Sequence, residues 1–304
     1  VDNKIESFSK IDGIFPWKPA AWLAVTGDDA FSFLQGQFSS DLRPLEQGGS
    51  VYGLWLDRKG KVLADSFVGQ DPRTIGQYWI GSYTSAADTI RQRLEDFVVA
   101  DDVMISDETS RYEGLTVPEA VNSAQLAEIL QRLGAISFPA RRGFPAREWI
   151  FDNQSEHRAA LDEWLQRLPE FSLMQMETCR IHARIPAIPA DIGPGDLPQE
   201  GGLETDAVSF SKGCYLGQEV MARLKTMGSV RRQLFRVSAT IELPKLPAPL
   251  FQNGKRVGEL RTAISDAGKF IGLALLSTLN LKVEFPLYFA EADTADRAIA
   301  IDLT

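Results

Sequence analysis

Apolar positions along the first hundred residues switch between two periods. "AWLAVTG" (Ala21–Gly27) is a short apolar run of strand type. "DDAFSFLQGQF" follows, with Phe31, Leu34 and Phe38 at helical spacing and Asp28 as the candidate N-cap. Val51–Gly69 reads as two strands around the turn Asp57-Arg58-Lys59-Gly60, and "QYWIGSY" as another. Ile90, Leu94 and Phe97 then mark an amphipathic helix, and "DDVMISDE" a strand. This order predicts an α+β sheet with helices on one face. Leu126, Ile129, Leu130 and Leu133 form a second helical stripe, and Leu161, Trp164, Leu165 and Leu168 a third. "LMQMETCRIHARI" continues in helical period until Pro186.

The pattern breaks at "PAIPADIGPGDLPQEGGLE", dense in Pro and Gly, which predicts a functional or wrapping loop. From Arg231 onward the periodic stripes give way to short strands separated by turn residues: "RRQLFRVSA", "KRVGELRTAIS" and "FIGLALLS". The expected division is an α+β body over 1–228 and a small C-terminal β-barrel over 229–304.

Composition narrows the function. The chain has 304 residues, 44% hydrophobic, enough for two or three domains. Its net charge of −9 argues against nonspecific nucleic-acid binding and against an acidic membrane surface, so neither is expected as a partner. No apolar run approaches a membrane span, and the opening residues lack a signal-peptide pattern. Two cysteines, Cys179 and Cys214, form no disulfide framework and suit a reducing, cytoplasmic setting. The two histidines show no metal-ligand clustering: His157 reads as a surface residue, and no metal site is expected.

"SKGCYLGQE" (Ser211–Glu219) is the exception to packing logic: a cysteine among glycines, a lysine, a tyrosine, a glutamine and a glutamate. "QEVMARLK" after Gly217 has helical period, so Cys214 would lie just before a helix's positive end. Lys212 adds a further positive charge, and both favour the thiolate. A tight turn holding a half-buried cysteine is the plainer reading of the same residues. Glu219 fits a dipole partner or a ligand acceptor. From Ser209 to Arg236 six basic residues stand against one acid. That segment is either a solvated basic face or a pocket for an anionic small molecule.

"KGCYLGQE" resembles the signature of the YgfZ family of folate-binding proteins, relatives of the glycine-cleavage T-protein (aminomethyltransferase). "VTGDDAFSFLQGQFSSDL", "DRKGKVLADSFV" and "PQEGGLE" resemble that family in order and spacing, over about Ala21 to Val237. The resemblance implies a three-lobed T-protein-like fold. Two intertwined lobes would make the folate-binding body, and the barrel would close it around a central opening for tetrahydrofolate. It also implies a role in maturing or repairing iron–sulfur proteins, with iron–sulfur clients or assembly proteins as partners. Cys214 would then be the reactive group and Asp65 the surviving carboxylate of the T-protein's catalytic acids. Lys212, Tyr215, Gln218, Glu219, Arg223, Arg232, His182 and Glu200 are the expected folate contacts, with Lys212, Arg223 and Arg232 near its anionic tail. The chain departs from relatives at "RIHARIP", where His182 occupies a glutamate position and Arg184 a glycine position, and at Ala64-Asp65, where paired acids are expected. A one-carbon transferase using Asp65, and a folate fold kept as an interaction scaffold, are the alternative functions; the sequence leaves open whether the protein turns over a substrate.

Overall fold

The structure is a computed structural model that describes residues 13–228, 230–266, 268–290 and 298–302. The opening residues read for a leader, and Ser229 at the expected domain boundary, lie outside the described residues.

The first sheet holds β2 (Ala21–Thr26), β3 (Ser50–Leu56), β4 (Val62–Gln70), β5 (Tyr78–Ser82) and β6 (Met104–Asp107), in the spatial order β3-β4-β5-β2-β6. Alternation sorts its side chains onto two faces. Leu23, Val25, Ala64, Val68 and Ile80 point to one face, where α1 (Ala30–Gln37) and α2 (Ala87–Glu95) supply Phe33, Leu34, Ile90 and Leu94. Trp22, Phe67 and Trp79 point to the other face, and Asp65 shares that face with Phe67 by its two-residue spacing. Helix α1 starts one residue later than the sequence implies: Asp29, not Asp28, is the N-cap, and Ala30, Phe33 and Leu34 are its buried residues.

The aromatic face meets a second sheet that the apolar pattern did not announce. It comprises β1 (Phe15–Trp17), β7 (Tyr112–Pro118), β8 (Ile136–Pro139) and β9 (Ala146–Asp152), in the order β1-β7-β9-β8. Tyr112, Ile136, Phe138 and Ile150 pack against Trp22, Phe67 and Trp79. Trp22 and Trp79 stack at 4.8 Å between ring centroids. On the outer face, α3 (Ala124–Arg132) and α4 (Arg158–Leu165) cover Leu115, Val117, Trp149 and Phe151. The body therefore has helices on both outer faces of two sheets packed together. A side chain at Gly114 would meet the Trp17 ring at 2.3 Å, so only glycine admits that indole across the strand.

Helix α5 (Leu173–His182) opens with a capping box between Ser172 and Gln175. The Pro/Gly segment and α6 (Gln218–Met227) then lead into an antiparallel sheet built wholly from later residues. Its strands are β10 (Arg232–Ala239), β11 (Ala248–Gln252), β12 (Lys255–Asp266), β13 (Lys269–Ser277) and β14 (Ala300–Asp302), in the order β11-β12-β13-β10-β14. Bridges from Phe251 to Tyr288 and from Leu287 to Ile299 link the two edges, which curls the sheet toward a barrel. The barrel has its own core around Leu250, Leu260, Phe270 and Leu276. A second core crosses the boundary: Leu54, Leu56 and Val62 of the body, Ile181, Ile188, Tyr215 and Met221 pack with Leu234, Leu273 and Leu275 of the barrel. Arg180 reinforces that junction with bonds to Asp191 (2.6 Å) and Thr262 (3.2 Å).

Candidate functional site

The cysteine loop is anchored on both sides of the thiol. Lys212 is buried, and its ammonium donates to the carbonyls of Gln35 (2.6 Å), Phe38 (2.7 Å) and Ser40 (2.9 Å). An ammonium has three N–H groups, and all three are used at the C-terminal end of α1, where helix carbonyls lack partners of their own. The favourable end of the helix dipole reinforces the contact. Burial pushes Lys212 down to about 8. Tyr215 is buried too, its ring 5.2 Å from the Lys212 nitrogen, and burial pushes its hydroxyl up to about 12. Between these anchors Gly213 and Cys214 are exposed, and a side chain at Gly213 would meet nothing within 4 Å.

Gly217 completes the loop with φ +87° immediately before α6. A Cβ there would lie 3.0 Å from the Asp57 carbonyl and 3.1 Å from the Cα of Gly60. Gly60, in turn, abuts Val220 and Met221. The hairpin turn between β3 and β4 thus interlocks with the entry of α6, backbone against backbone. The turn carries exposed Arg58 and Lys59 to the neighbourhood of the cysteine loop.

The other expected contacts divide into separate groups. Gln218 is half-buried, while Glu219 and Arg223 are exposed on α6. Arg232 grips Glu200 through two bonds of 2.9 Å and Asp196 through one of 2.9 Å. Glu200 is buried and also accepts from the Leu197 amide at 2.7 Å. His182 ends α5 with its Nδ1 3.2 Å from Arg236, which also donates to the His182 carbonyl at 3.0 Å. The sequence expectation set the Lys212 charge to work on the thiol; in the structure its three N–H groups are committed to carbonyls at the end of α1. Arg232 likewise has two carboxylates of its own.

Asp65 lies in a cluster that sequence reasoning only half recovered. Its carboxylate is buried and accepts from the hydroxyls of Tyr52 (2.9 Å), Ser82 (3.0 Å) and Ser85 (2.6 Å). Burial raises its pKa, and the three hydroxyl bonds oppose the rise. Outward from Tyr52 sits Arg141, whose guanidinium lies 4.3 Å from the Tyr52 ring centroid and pairs with Asp206. Arg142 stacks on Tyr83 at 3.6 Å and bonds Glu148 at 3.0 Å. Glu148 is fully buried, and Trp17, Thr116 and Tyr83 also donate to it, each at 2.8 Å. Tyr52, Ser82, Ser85, Arg141 and Asp206 were not singled out from the sequence. The adjacent pair Arg141-Arg142 ahead of Gly143 was the one available signal.

A cleft of about 380 Å³ lies elsewhere, lined by Gln70, Asp71, Trp79 and Ile136 among others. Among the described residues, no group of three or more His, Cys, Asp or Glu is placed to hold a metal ion. None of their helices is long and apolar enough to cross a membrane.

No family model matches the chain. The mitochondrial iron–sulfur cluster assembly factor IBA57 of Homo sapiens is 26% identical over 300 residues, spanning 91% of this chain and 80% of that protein. The tRNA-modifying protein YgfZ of Yersinia enterocolitica is 27% identical over 263 residues, spanning 81% and 78%. That of Vibrio vulnificus is 27% identical over 254 residues, spanning 81% and 75%. Among solved structures, the glycine cleavage system aminomethyltransferase T of Bartonella henselae superposes with a TM-score of 0.73 at 16% identity, over 96% of this chain and 86% of that one. The chain is therefore an α+β protein of the T-protein-like fold. Within that fold its sequence is similar to the YgfZ-type proteins and to IBA57, over about four fifths of the chain or more.

Proposed function

We propose that this protein binds tetrahydrofolate and assists the maturation or repair of iron–sulfur proteins, with Cys214 as its reactive group. The observation that carries the reading is the build of the cysteine loop. Buried Lys212 and buried Tyr215 fix the backbone on either side, while Cys214 stands exposed between them. A packing cysteine has no need of such a mount; a thiol that meets a partner does. Cys179, the other cysteine, is buried, so a cluster or sulfur ligand at Cys214 would draw its remaining ligands from a partner. A relative named as an iron–sulfur cluster assembly factor supports the same assignment.

The residues present fit a folate. Buried polar atoms without partners include the Arg141 Nε, the Glu204 Oε2, the Gln199 Oε1 and the Tyr215 hydroxyl, a mixture of donors and acceptors. Tetrahydrofolate offers a donor-rich pterin edge, an aromatic middle and anionic carboxylates, and so has a group for each type. Gln218, Glu219 and Arg223 on α6 lie next to the thiol in sequence and are free to meet ligand or partner. The bound folate would supply one-carbon or reducing chemistry, and this chain's residues would hold and orient it.

A folate-dependent aminomethyltransferase is the second reading, favoured by the buried Asp65. Against it, both Asp65 oxygens already accept hydroxyls in this structure. The test has two arms. Titration with tetrahydrofolate, followed by the fluorescence of the six tryptophans, should show saturable binding. In cells lacking their own copy, wild type should restore the activity of an iron–sulfur enzyme and Cys214→Ser should not. Full restoration by Cys214→Ser overturns the role of the thiol. Loss of function in Asp65→Asn together with methylene transfer from a lipoyl carrier would favour the transferase.

A further inference from the structure

We infer that Asp206 is an internal stand-in for a ligand carboxylate on Arg141, so that Arg141 is the residue that selects an anionic, glutamate-bearing ligand. The inference rests on the folate reading above for the identity of that ligand, but not for the exchange itself.

Four features point the same way. First, Arg141 is a fork with a vacant prong. Its Nη1 pairs with Asp206, while its Nε is buried without a partner. Two other arginines of this protein present two fork nitrogens to one carboxylate. Arg73 engages Asp71 through Nε (2.9 Å) and Nη2 (2.7 Å), and Arg232 engages Glu200 through Nε and Nη2, both at 2.9 Å. A carboxylate arriving side-on would satisfy the buried Nε together with a terminal nitrogen, the geometry that guanidinium groups favour.

Second, the cation is fixed and its counter-ion is not. The Arg141 amide donates to the Tyr83 hydroxyl at 3.2 Å, and that hydroxyl donates to the buried Glu148 at 2.8 Å. The guanidinium itself rests on Tyr52. Asp206, by contrast, is 44% exposed against 18% for Arg141, so release of its carboxylate to water costs little.

Third, Asp65 is buried, Tyr52 and Arg141 are half-buried and Asp206 is exposed, so Arg141 stands at the solvent side of the buried carboxylate. Fourth, Lys212 and Arg232 are each already held by several internal acceptors. An incoming anion displaces one exposed carboxylate at Arg141, and would have to break more at either of the others. While Asp206 holds Nη1, its charge opposes a second carboxylate on the same guanidinium, so apparent affinity is lowered until Asp206 is released.

The experiment uses the full chain and two fragment probes, 4-aminobenzoyl-glutamate and 4-aminobenzamide, alongside tetrahydrofolate. Asp206→Asn should tighten binding of 4-aminobenzoyl-glutamate and of tetrahydrofolate by about fivefold, since a partly exposed ion pair of this kind is worth about 1 kcal/mol. It should leave 4-aminobenzamide unchanged. Arg141→Gln should abolish the preference for the glutamate-bearing probe, and Arg141→Lys should restore only part of it. Phenylglyoxal labelling of Arg141, located by peptide mass, should be faster in Asp206→Asn and slowed by 4-aminobenzoyl-glutamate. If Asp206→Asn shifts neither the affinity of the glutamate-bearing ligands nor the labelling, the stand-in is overturned, whatever folate does. If tetrahydrofolate fails to bind while 4-aminobenzoyl-glutamate shows the Asp206 dependence, the folate reading falls and the stand-in remains. Equal binding of tetrahydrofolate to wild type and Asp206→Asn leaves the folate reading standing and removes the stand-in.

Discussion

Replacing Lys212 by Met isolates the anchor of the cysteine loop. Methionine matches much of the aliphatic stem but donates nothing, so the carbonyls of Gln35, Phe38 and Ser40 lose their partner at once. A buried acceptor left unpaired costs about 1–3 kcal/mol. Relief of the ammonium's own burial offsets part of the total, which leaves a net loss of about 2–4 kcal/mol. In urea, with a slope of about 2–3 kcal/mol/M, the unfolding midpoint should fall by about 1 M. The pH dependence carries a second signature. Burial lowers Lys212 from an ordinary 10.5 to about 8. Between those values the unfolded chain holds a proton that the folded chain has released, so this residue makes stability rise with pH across that window. The variant should lack that rise. Alkylation of Cys214 in folded molecules should change less than twofold, because the ammonium's three N–H groups are committed to carbonyls. A midpoint within about 0.2 M of wild type, or a large drop in the alkylation rate of still-folded protein, would refute the carbonyl anchor.

Three further outcomes follow from the same geometry. Asp65 has a raised pKa, so its contribution is present at low pH and lost as pH climbs past about 4 toward the folded-state value; Asp65→Asn should gain on wild type in thermal stability between pH 4 and pH 8. Arg232→Gln leaves buried Asp196 and Glu200 without their shared cation and should cost about 2–3 kcal/mol by chemical denaturation, discounted because the arginine is partly exposed; an unchanged midpoint would show the network to be idle. Cys179, which burial pushes up to about 11, should resist iodoacetamide until the chain unfolds, whereas Cys214 should be labelled in the native state; equal rates in the single-cysteine variants would contradict the placement of both.

What was legible in the sequence was whatever is contiguous. The first sheet, its two helices and all six helical stripes follow from local periodicity, and the cysteine loop is a single stretch of chain. The second sheet escaped notice because its strands carry weak signals: β7 contains Gly114 and ends in Pro118, and β8 is four residues long and ends in Pro139. The Asp65 cluster escaped for a different reason. Strand register places Tyr52 opposite Phe67 and Leu54 opposite Asp65, so the tyrosine reaches the carboxylate diagonally, while Ser82, Ser85 and Arg141 arrive from two further connections. Net charge along the segment from Ser209 to Arg236 counted Lys212 and Arg232 as surplus cations. Their acceptors lie in α1 and in the Pro/Gly loop, beyond the reach of any local count.

The core that crosses from body to barrel bears on how this architecture can be inherited. Leu234, Leu273 and Leu275 of the barrel complete the same apolar cluster as Leu54, Leu56 and Met221 of the body. A cut at the junction would strip the cover from both sides and leave two sticky fragments rather than two domains. The barrel is thus no cassette that recombination could lift out and graft elsewhere. Any lineage that swaps it must also rewrite the hairpin and helix beneath it, and those are the elements against which the cysteine loop is set.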